Sequence, residues 1–130
     1  GLRLKPYTDT KGKITIGVGR NLTDVGISEP EAILLLSNDV RTAVLALDDF
    51  MPEWQLLDDV RSRVLLSMCF NMGIGSLLRF KKFRAALQAG EFGKAAAEMR
   101  DSDWYGQVGR RGPKLVRWMQ TGSSIDTENV

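Results

Sequence analysis

The sequence predicts an α+β fold that is mainly helical, with a small β-hairpin ahead of a long helix and several shorter ones. Polar and β-branched residues alternate between Lys13 and Gly19, which is typical of a strand. From Ala32 onward, apolar residues instead recur at helical spacing, and glycines or Asp-Ser-Asp divide the second half into segments. The 130 residues are within the usual size of one domain.

The hairpin is expected over residues 5–19. Its centre consists of turn formers, so Asp9 ends the first strand and Thr15 lies on the second. Gly17 and Gly19 leave bare backbone, which allows another chain or a ligand to approach closely. A carboxylate and a hydroxyl beside such a surface could hold and activate a water molecule. Taken alone, however, Asp9 is more often a turn residue and Thr15 a plain strand former.

A long helix is expected from Ser28 to about Phe50. Ser28 can cap it, and Glu31 follows three residues later as in a capping box. Pro30 is tolerated in the first turn, and Pro52 ends the helix. At about 1.5 Å per residue this helix spans roughly 30 Å, enough to link two lobes. Arg20, in the loop before it, is expected to pair with an acid on the Ala32–Phe50 part of this helix, such as Asp39 or Asp48.

The second lobe is expected to be built around an apolar helix from Leu57 to Met72, which Gly73 and Gly75 end. Shorter amphipathic helices follow at Leu77 to Ala89, Glu91 to Met99 and Gly112 to Thr121. We therefore predict a single domain with a hairpin lobe, a linking helix, a helical lobe and a polar tail. Their ranges are 1–27, 28–51, 52–122 and 123–130.

Composition limits the chemistry. The chain has no histidine, which excludes Ser-His-Asp and Cys-His nucleophilic sites and histidine-ligated zinc. The single cysteine, Cys69, cannot form an internal disulfide. The net charge of +2 is too mild to indicate nucleic acid but suits an acidic polymer such as a bacterial wall. An enzyme with this composition would rely on carboxylates, and no cofactor or metal is expected.

Residues 1–19 match, from its second residue onward, the pattern Glu-Gly-Leu-x-Leu-x-x-Tyr-x-Asp-x-x-Gly-x-x-Thr-Ile-Gly-x-Gly. Further matches lie in Val60 to Gly73, in Asp103 to Gln107 with Arg110-Arg111, and in Gln120 to Gly122. On these motifs nearly the whole chain resembles the phage T4-type lysozymes, glycoside hydrolase family 24. The resemblance implies a two-lobed lysozyme fold and a muramidase that cleaves the β-1,4 bond between N-acetylmuramic acid and N-acetylglucosamine.

The resemblance also implies an inverting mechanism, in which an acid protonates the leaving oxygen and a carboxylate activates water on the opposite face. Asp9 would be that carboxylate, and Thr15 would hold the water. Phe70 and Asn71 would contact sugar, with asparagine in place of the glutamine common at that position. Arg111 would support the acid. The resemblance places that acid, a glutamate, immediately before Gly1, so neither it nor the family's N-terminal helix is in this sequence.

The expected partner is peptidoglycan, bound by a monomer without a membrane span and without nucleic acid. As a phage or prophage endolysin the protein would be made in the host cytoplasm and act on the wall in the periplasm, by an unknown export route. Two alternatives stay open. One is a lysozyme-like module that binds peptidoglycan without cleaving it. The other is a small nucleic-acid-binding domain that uses four basic residues near the end of the chain: Arg110, Arg111, Lys114 and Arg117.

Overall fold

The computed structural model describes residues 1–125, so residues 126–130 of the predicted tail lie outside it. A small antiparallel sheet precedes a set of helices, which confirms the mainly helical α+β fold. The strands are β1 (Arg3–Thr8), β2 (Ile14–Gly17) and β3 (Arg20–Asn21). The helices are α1 (Glu29–Phe50), a 3₁₀ helix (Pro52–Leu56), α2 (Asp59–Arg79), α3 (Lys81–Gln88), α4 (Phe92–Arg100), α5 (Asp103–Gln107) and α6 (Arg111–Thr121).

The chain forms two compact units whose boundary lies inside α1, between Asn38 and Asp39. The first unit contains the sheet, in the order β1-β2-β3, and the beginning of α1. The predicted capping box forms there, because the Ser28 amide donates to Glu31 Oε1 (2.8 Å) and the Glu31 amide donates to Ser28 Oγ (3.3 Å). The helix therefore begins where the sequence predicts.

Arg20 does not pair with Asp39 or Asp48, so that expectation is wrong. Its Nη1 lies 2.7 Å from Glu31 Oε1 and also donates to the Gly26 carbonyl at 3.1 Å. The loop between β3 and α1 folds back through tight turns, which brings Arg20 to the first turn of the helix rather than to its middle. Asp48 instead accepts from the side chains of Trp54 (2.9 Å) and Gln55 (2.7 Å).

The second unit holds the apolar core. All buried apolar residues of the described chain lie between Ala43 and Met119. The largest fully buried side chains come from α1, α2, α3, α4 and α6 and from Met51: Phe83, Leu47, Met51, Leu65, Met68, Leu77, Met99, Met119 and Val64. Burial of a Leu, Phe or Met side chain contributes about 1.5–3 kcal/mol, so this cluster is the main source of stability.

Arg61 ties the start of α2 to the end of α6. Its Nε donates to the Met119 carbonyl (2.6 Å) and its Nη2 donates to the Gln120 carbonyl (3.0 Å). The guanidinium carbon lies 3.7 Å from the centre of the Phe92 ring. These two carbonyls are in the last turn of α6, where no later N–H group of the helix can donate to them. Arg61 supplies the missing hydrogen-bond donors.

The second unit departs from the sequence prediction in its boundaries. Gly73 breaks α2 (φ 79°, ψ 156°), so the first helical stretch stops where the sequence predicts, but a second helical stretch follows it and runs to Arg79. Consequently Leu77 belongs to α2, and α3 begins at Lys81. The 3₁₀ helix and α5 are also new. α5 forms because Ser102, predicted as part of a separator, caps it by accepting from the Tyr105 amide (3.3 Å).

Candidate active site

Asp9 sits at the end of β1, where its carboxylate organises the hairpin turn. Oδ1 accepts from the Lys11 amide (2.9 Å) and from the Lys13 amide (2.8 Å). The Asp9 amide donates in turn to the Lys13 carbonyl (2.9 Å). Asp9 is half-buried, and no donor of the first unit bonds its other oxygen, Oδ2. The carboxylate is thus held in place through one oxygen, while the second remains available for a ligand or water.

Thr15 is the buried neighbour of this turn. It lies on β2 opposite Tyr7 of β1 and Asn21 of β3, and only 4% of it is exposed. Its Oγ1 donates to the Lys13 carbonyl (3.1 Å). Because that bond uses the hydroxyl hydrogen, the oxygen keeps lone pairs that can accept a hydrogen bond from water.

Lys13 joins the two groups through its backbone. Its amide fixes the Asp9 carboxylate, and its carbonyl orients the Thr15 hydroxyl. The structure therefore links the two residues of the predicted hairpin site through a single residue. The arrangement has a carboxylate oxygen to which none of residues 1–125 is seen to donate and a hydroxyl oriented by the same turn, and a bound water could use both as acceptors.

Phe70 and Asn71 lie on α2 just before the break at Gly73. Phe70 is 40% exposed, although its helix contributes Val64, Leu65 and Met68 to the core, and Asn71 is also exposed. Gly73 leaves the helical conformation at φ 79°, which only glycine adopts freely. An exposed aromatic ring beside an amide can stack on a sugar face and bond its hydroxyls.

Arg111 begins α6 and contacts the same helix. Its Nη2 donates to Ser67 Oγ at 2.6 Å. Ser67 is three residues before Phe70 and four before Asn71, so all three lie along one side of α2. The structure thus brings Arg111, Phe70 and Asn71 to a shared region of the second unit. No carboxylate between residues 39 and 125 forms an ion pair with Arg111, although Asp and Glu pair with several other arginines there.

Asn71 also lines a polar cavity of about 470 Å³ that the sequence did not predict. Trp104, which is 2% exposed, lies in its wall, and its buried indole N–H has no acceptor among the described residues. Gln107 and Arg79 are further lining residues. The motif match in Asp103 to Gln107 was the available signal, but a tryptophan there is more often part of a core than of a sugar site.

The basic residues of α6 do not form a free stripe. Arg111 is bonded to Ser67, and the Lys114 ammonium lies 4.8 Å from the centre of the Trp118 ring.

Within residues 1–125 no group of three or more Cys, Asp or Glu side chains is arranged to hold a metal ion. In the same part of the chain, no helix combines the length and the apolar character needed to cross a bilayer.

The family model described as phage lysozyme matches residues 1–120, and therefore both units and every candidate residue. The chain belongs to the phage lysozyme family. Membership of this family supports a lysozyme-like peptidoglycan hydrolase, which is a glycosidase, and makes peptidoglycan the expected substrate. It does not test the roles of Asp9, Thr15, Phe70, Asn71 and Arg111, which stay predictions.

Individual members of the family are distant in sequence. The pre-baseplate central spike protein Gp5 of Enterobacteria phage T4 is 29% identical to this chain over 151 residues. That match covers 95% of this chain but 26% of the spike protein, so the chain spans about a quarter of that relative. Two Dictyostelium discoideum proteins named probable T4-type lysozyme 1 and 2 are 24% and 25% identical. Each of those matches covers 95% of this chain and 89% of the relative.

Proposed function

We propose that this lysozyme is an endolysin-type muramidase that cleaves the β-1,4 bond between N-acetylmuramic acid and N-acetylglucosamine with inversion. The observation that carries the proposal is the pairing of Asp9 with Thr15 through the Lys13 backbone. Inverting glycosidases need a carboxylate that holds one water on the face of the sugar opposite the leaving group. A fixed carboxylate with a free oxygen, next to an oriented hydroxyl, meets that need without a metal ion.

In the proposed reaction, Asp9 Oδ2 and Thr15 Oγ1 accept the two hydrogens of a water molecule. As the water oxygen attacks the anomeric carbon, Asp9 takes one proton, and the bond to the leaving oxygen breaks. The leaving oxygen is protonated by the glutamate that the resemblance places immediately before Gly1, outside this sequence. The new hydroxyl therefore replaces the glycosidic oxygen on the opposite face of the ring.

In this proposal, residues of the second unit contact the sugar and position the acid. Phe70 offers an exposed ring for an apolar sugar face, and Asn71 offers both a donor and an acceptor for acetamido or hydroxyl groups. Arg111 would keep the acid in position through the edge of the guanidinium that Ser67 does not occupy.

As a phage or prophage endolysin, the protein would be made in the host cytoplasm and lyse the cell by degrading the wall in the periplasm.

The test is the full-length Asp9→Asn variant acting on purified peptidoglycan. Asparagine keeps an acceptor oxygen for the Lys11 and Lys13 amides, so the turn is preserved while the base is lost. We expect the rate of reducing-end release to fall by about 10²–10⁴-fold, with the urea midpoint unchanged. Proton NMR of the wild-type digest should show the α-anomer first, because the β-bond is hydrolysed with inversion.

Asp24→Asn is the matched control, because Asp24 is an exposed acid of the same unit that pairs with Lys13 Nζ at 3.2 Å. Its rate should equal that of the wild type. Equal activity of the Asp9 and Asp24 variants would remove Asp9 from the site. Wall binding by the wild-type protein with no release of reducing ends would instead support the alternative of a non-catalytic peptidoglycan-binding module.

A further inference from the structure

Two serines in the first stretch of α2 use their hydroxyl groups differently. Ser62 Oγ donates to the Asp59 carbonyl at 2.8 Å, which is a bond within the helix. Ser67 Oγ instead accepts from Arg111 Nη2 at 2.6 Å, across 44 residues of chain. A serine inside a helix commonly bonds a carbonyl of the preceding turn, and serine is a weaker helix former than alanine. The distinctive contribution of Ser67 is therefore its bond to the first residue of α6.

The backbone of Arg111 is fixed where α6 begins. Gly112, which follows it, is buried, and a Cβ there would lie 3.1 Å from the Tyr105 carbonyl oxygen. The start of α6 therefore packs directly against α5, in a place that has no room for a side chain. Arg111 itself is exposed, and a long exposed side chain otherwise samples many rotamers. The bond to Ser67 thus selects one orientation of the guanidinium at the end of a fixed backbone.

Ser67 orients this cation without neutralising it. A hydroxyl is an uncharged acceptor, whereas a carboxylate in the same place would compensate the charge of Arg111. In the described part of the second unit, no other hydrogen bond of the guanidinium and no ion pair to it is seen. The charged residues within one turn supply no anion, because Arg110 and Lys114 are cations and Arg63 already pairs with an acid. The other donors of the guanidinium stay available for an anion.

We propose that Ser67 is a positioning residue for the general acid, because it fixes the guanidinium with which Arg111 holds the acid glutamate. The proposal rests on the muramidase function proposed above. Ser67 precedes Phe70 and Asn71 by one turn, so its bond keeps the guanidinium beside the expected sugar contacts. An oriented cation holds a carboxyl group in place, and its charge lowers the pKa of that group. A cation that swings into water does both less effectively.

Loss of the Ser67 hydroxyl should therefore reproduce part of the loss of Arg111. We expect Arg111→Met to raise the pKa of the glutamate by about one unit, at the low end for a neighbouring charge because the arginine is exposed. Ser67→Ala should shift the pKa in the same direction by about half as much. In the proposed site Ser67 does not contact the sugar, so kcat should fall about fivefold while KM is unchanged.

The experiment titrates the acid glutamate of the full-length protein by carbon-13 NMR, which requires no turnover. Its carboxyl signal is the one that disappears when that glutamate is replaced by glutamine. Release of reducing ends from purified peptidoglycan is then measured across pH, because the alkaline limb of the rate profile reports the same group. Ser67→Thr keeps a hydroxyl and should match the wild type in both measurements. Ser62→Ala is the control, since it removes a hydroxyl of the same helix that does not bond Arg111.

The Arg111→Met background shows whether Ser67 acts through the guanidinium. Ser67→Ala should have no further effect there, either on the pKa of the glutamate or on kcat. An equal effect in both backgrounds refutes the proposal. So does a Ser67→Ala variant that behaves like Ser62→Ala, or a Ser67→Thr variant that behaves like Ser67→Ala.

The two proposals can fail separately. If the pKa shifts as expected but the wild-type protein releases no reducing ends, the muramidase function is refuted and the positioning of the glutamate stands. If the wild type is active and Ser67→Ala changes neither measurement, the function stands and the positioning role is refuted. A glutamate pKa that does not respond to Arg111→Met overturns the roles of both Arg111 and Ser67.

Discussion

Replacing Arg61 by methionine tests whether one side chain holds the second unit together. Methionine keeps the unbranched stem that packs beside Phe92 but removes the charge and every donor. The Arg61 side chain is 14% exposed, and no other side chain is seen to bond the Met119 and Gln120 carbonyls at the end of α6 in the described chain. The variant therefore leaves the end of that helix without partners.

The expected loss follows from the individual contacts. Each charge-assisted hydrogen bond to a helix-end carbonyl contributes about 1 kcal/mol here, since water can partly replace the arginine at an exposed terminus. The guanidinium over the Phe92 ring adds about 0.5–1 kcal/mol. The pair with Asp58 adds little, because that carboxylate is 40% exposed. The sum is about 2–3 kcal/mol, or roughly 10 °C in the melting temperature.

Urea denaturation followed by circular dichroism measures this loss, and Arg63→Met provides the control. Arg63 is on the same helix and also pairs with an acid one turn away, but it is 52% exposed and its partner Asp59 is 87% exposed. Its replacement should change stability by less than about 0.5 kcal/mol. If both variants lose the same small amount, the inference that Arg61 joins α2 to α6 is refuted.

Two further predictions follow from the same contacts. Gly122→Ala should cost about 1–2 kcal/mol, because Gly122 has φ 71° and a Cβ there would lie 2.9 Å from Arg61 Nη1; the cost should fall in the Arg61→Met background, as a double-mutant cycle would show. The Arg20 hydrogen bond, followed by those of Ser28, lowers the pKa of Glu31 from 4.5 to about 2. This stabilisation is complete above pH 4.5 and is lost as the pH falls towards 2. Wild-type urea midpoints should therefore fall further across that window than those of Glu31→Gln, and parallel curves would contradict the assignment.

The sequence was sufficient for features that depend on neighbouring residues. The capping box of Ser28 and Glu31 and the hairpin around Asp9 involve residues no more than six apart, so local spacing decides them. Thr15 and Asp9 could be named as a pair because one motif contains both. The sequence could also exclude histidine chemistry outright, since that depends on composition alone.

Features that depend on tertiary packing were not predictable. Gly73 does interrupt the helix as predicted, but the sequence did not reveal that a second helical stretch follows it directly and carries Leu77, which is fully buried in the core. The partner of Arg20 depended on how the following loop turns back, which no periodicity reveals. That the buried indole N–H of Trp104 finds no acceptor among residues 1–125 is likewise a property of the packed structure, because residue type and spacing do not show where an acceptor will lie.

The bonds of Lys13 set a rule for how this hairpin can vary. Lys13 uses its amide and carbonyl, which every residue except proline possesses, so the bonds to Asp9 and Thr15 do not depend on the lysine side chain. Thr10 and Lys11 are exposed, and their side chains are not seen to bond within the first unit. Residue types at Thr10, Lys11 and Lys13 can therefore change, whereas Gly12 has φ 79°, which favours glycine. Inserting or deleting one residue would separate the carboxylate from the hydroxyl. The length of the turn and its glycine, rather than the side chains of Thr10, Lys11 and Lys13, keep the carboxylate beside the hydroxyl.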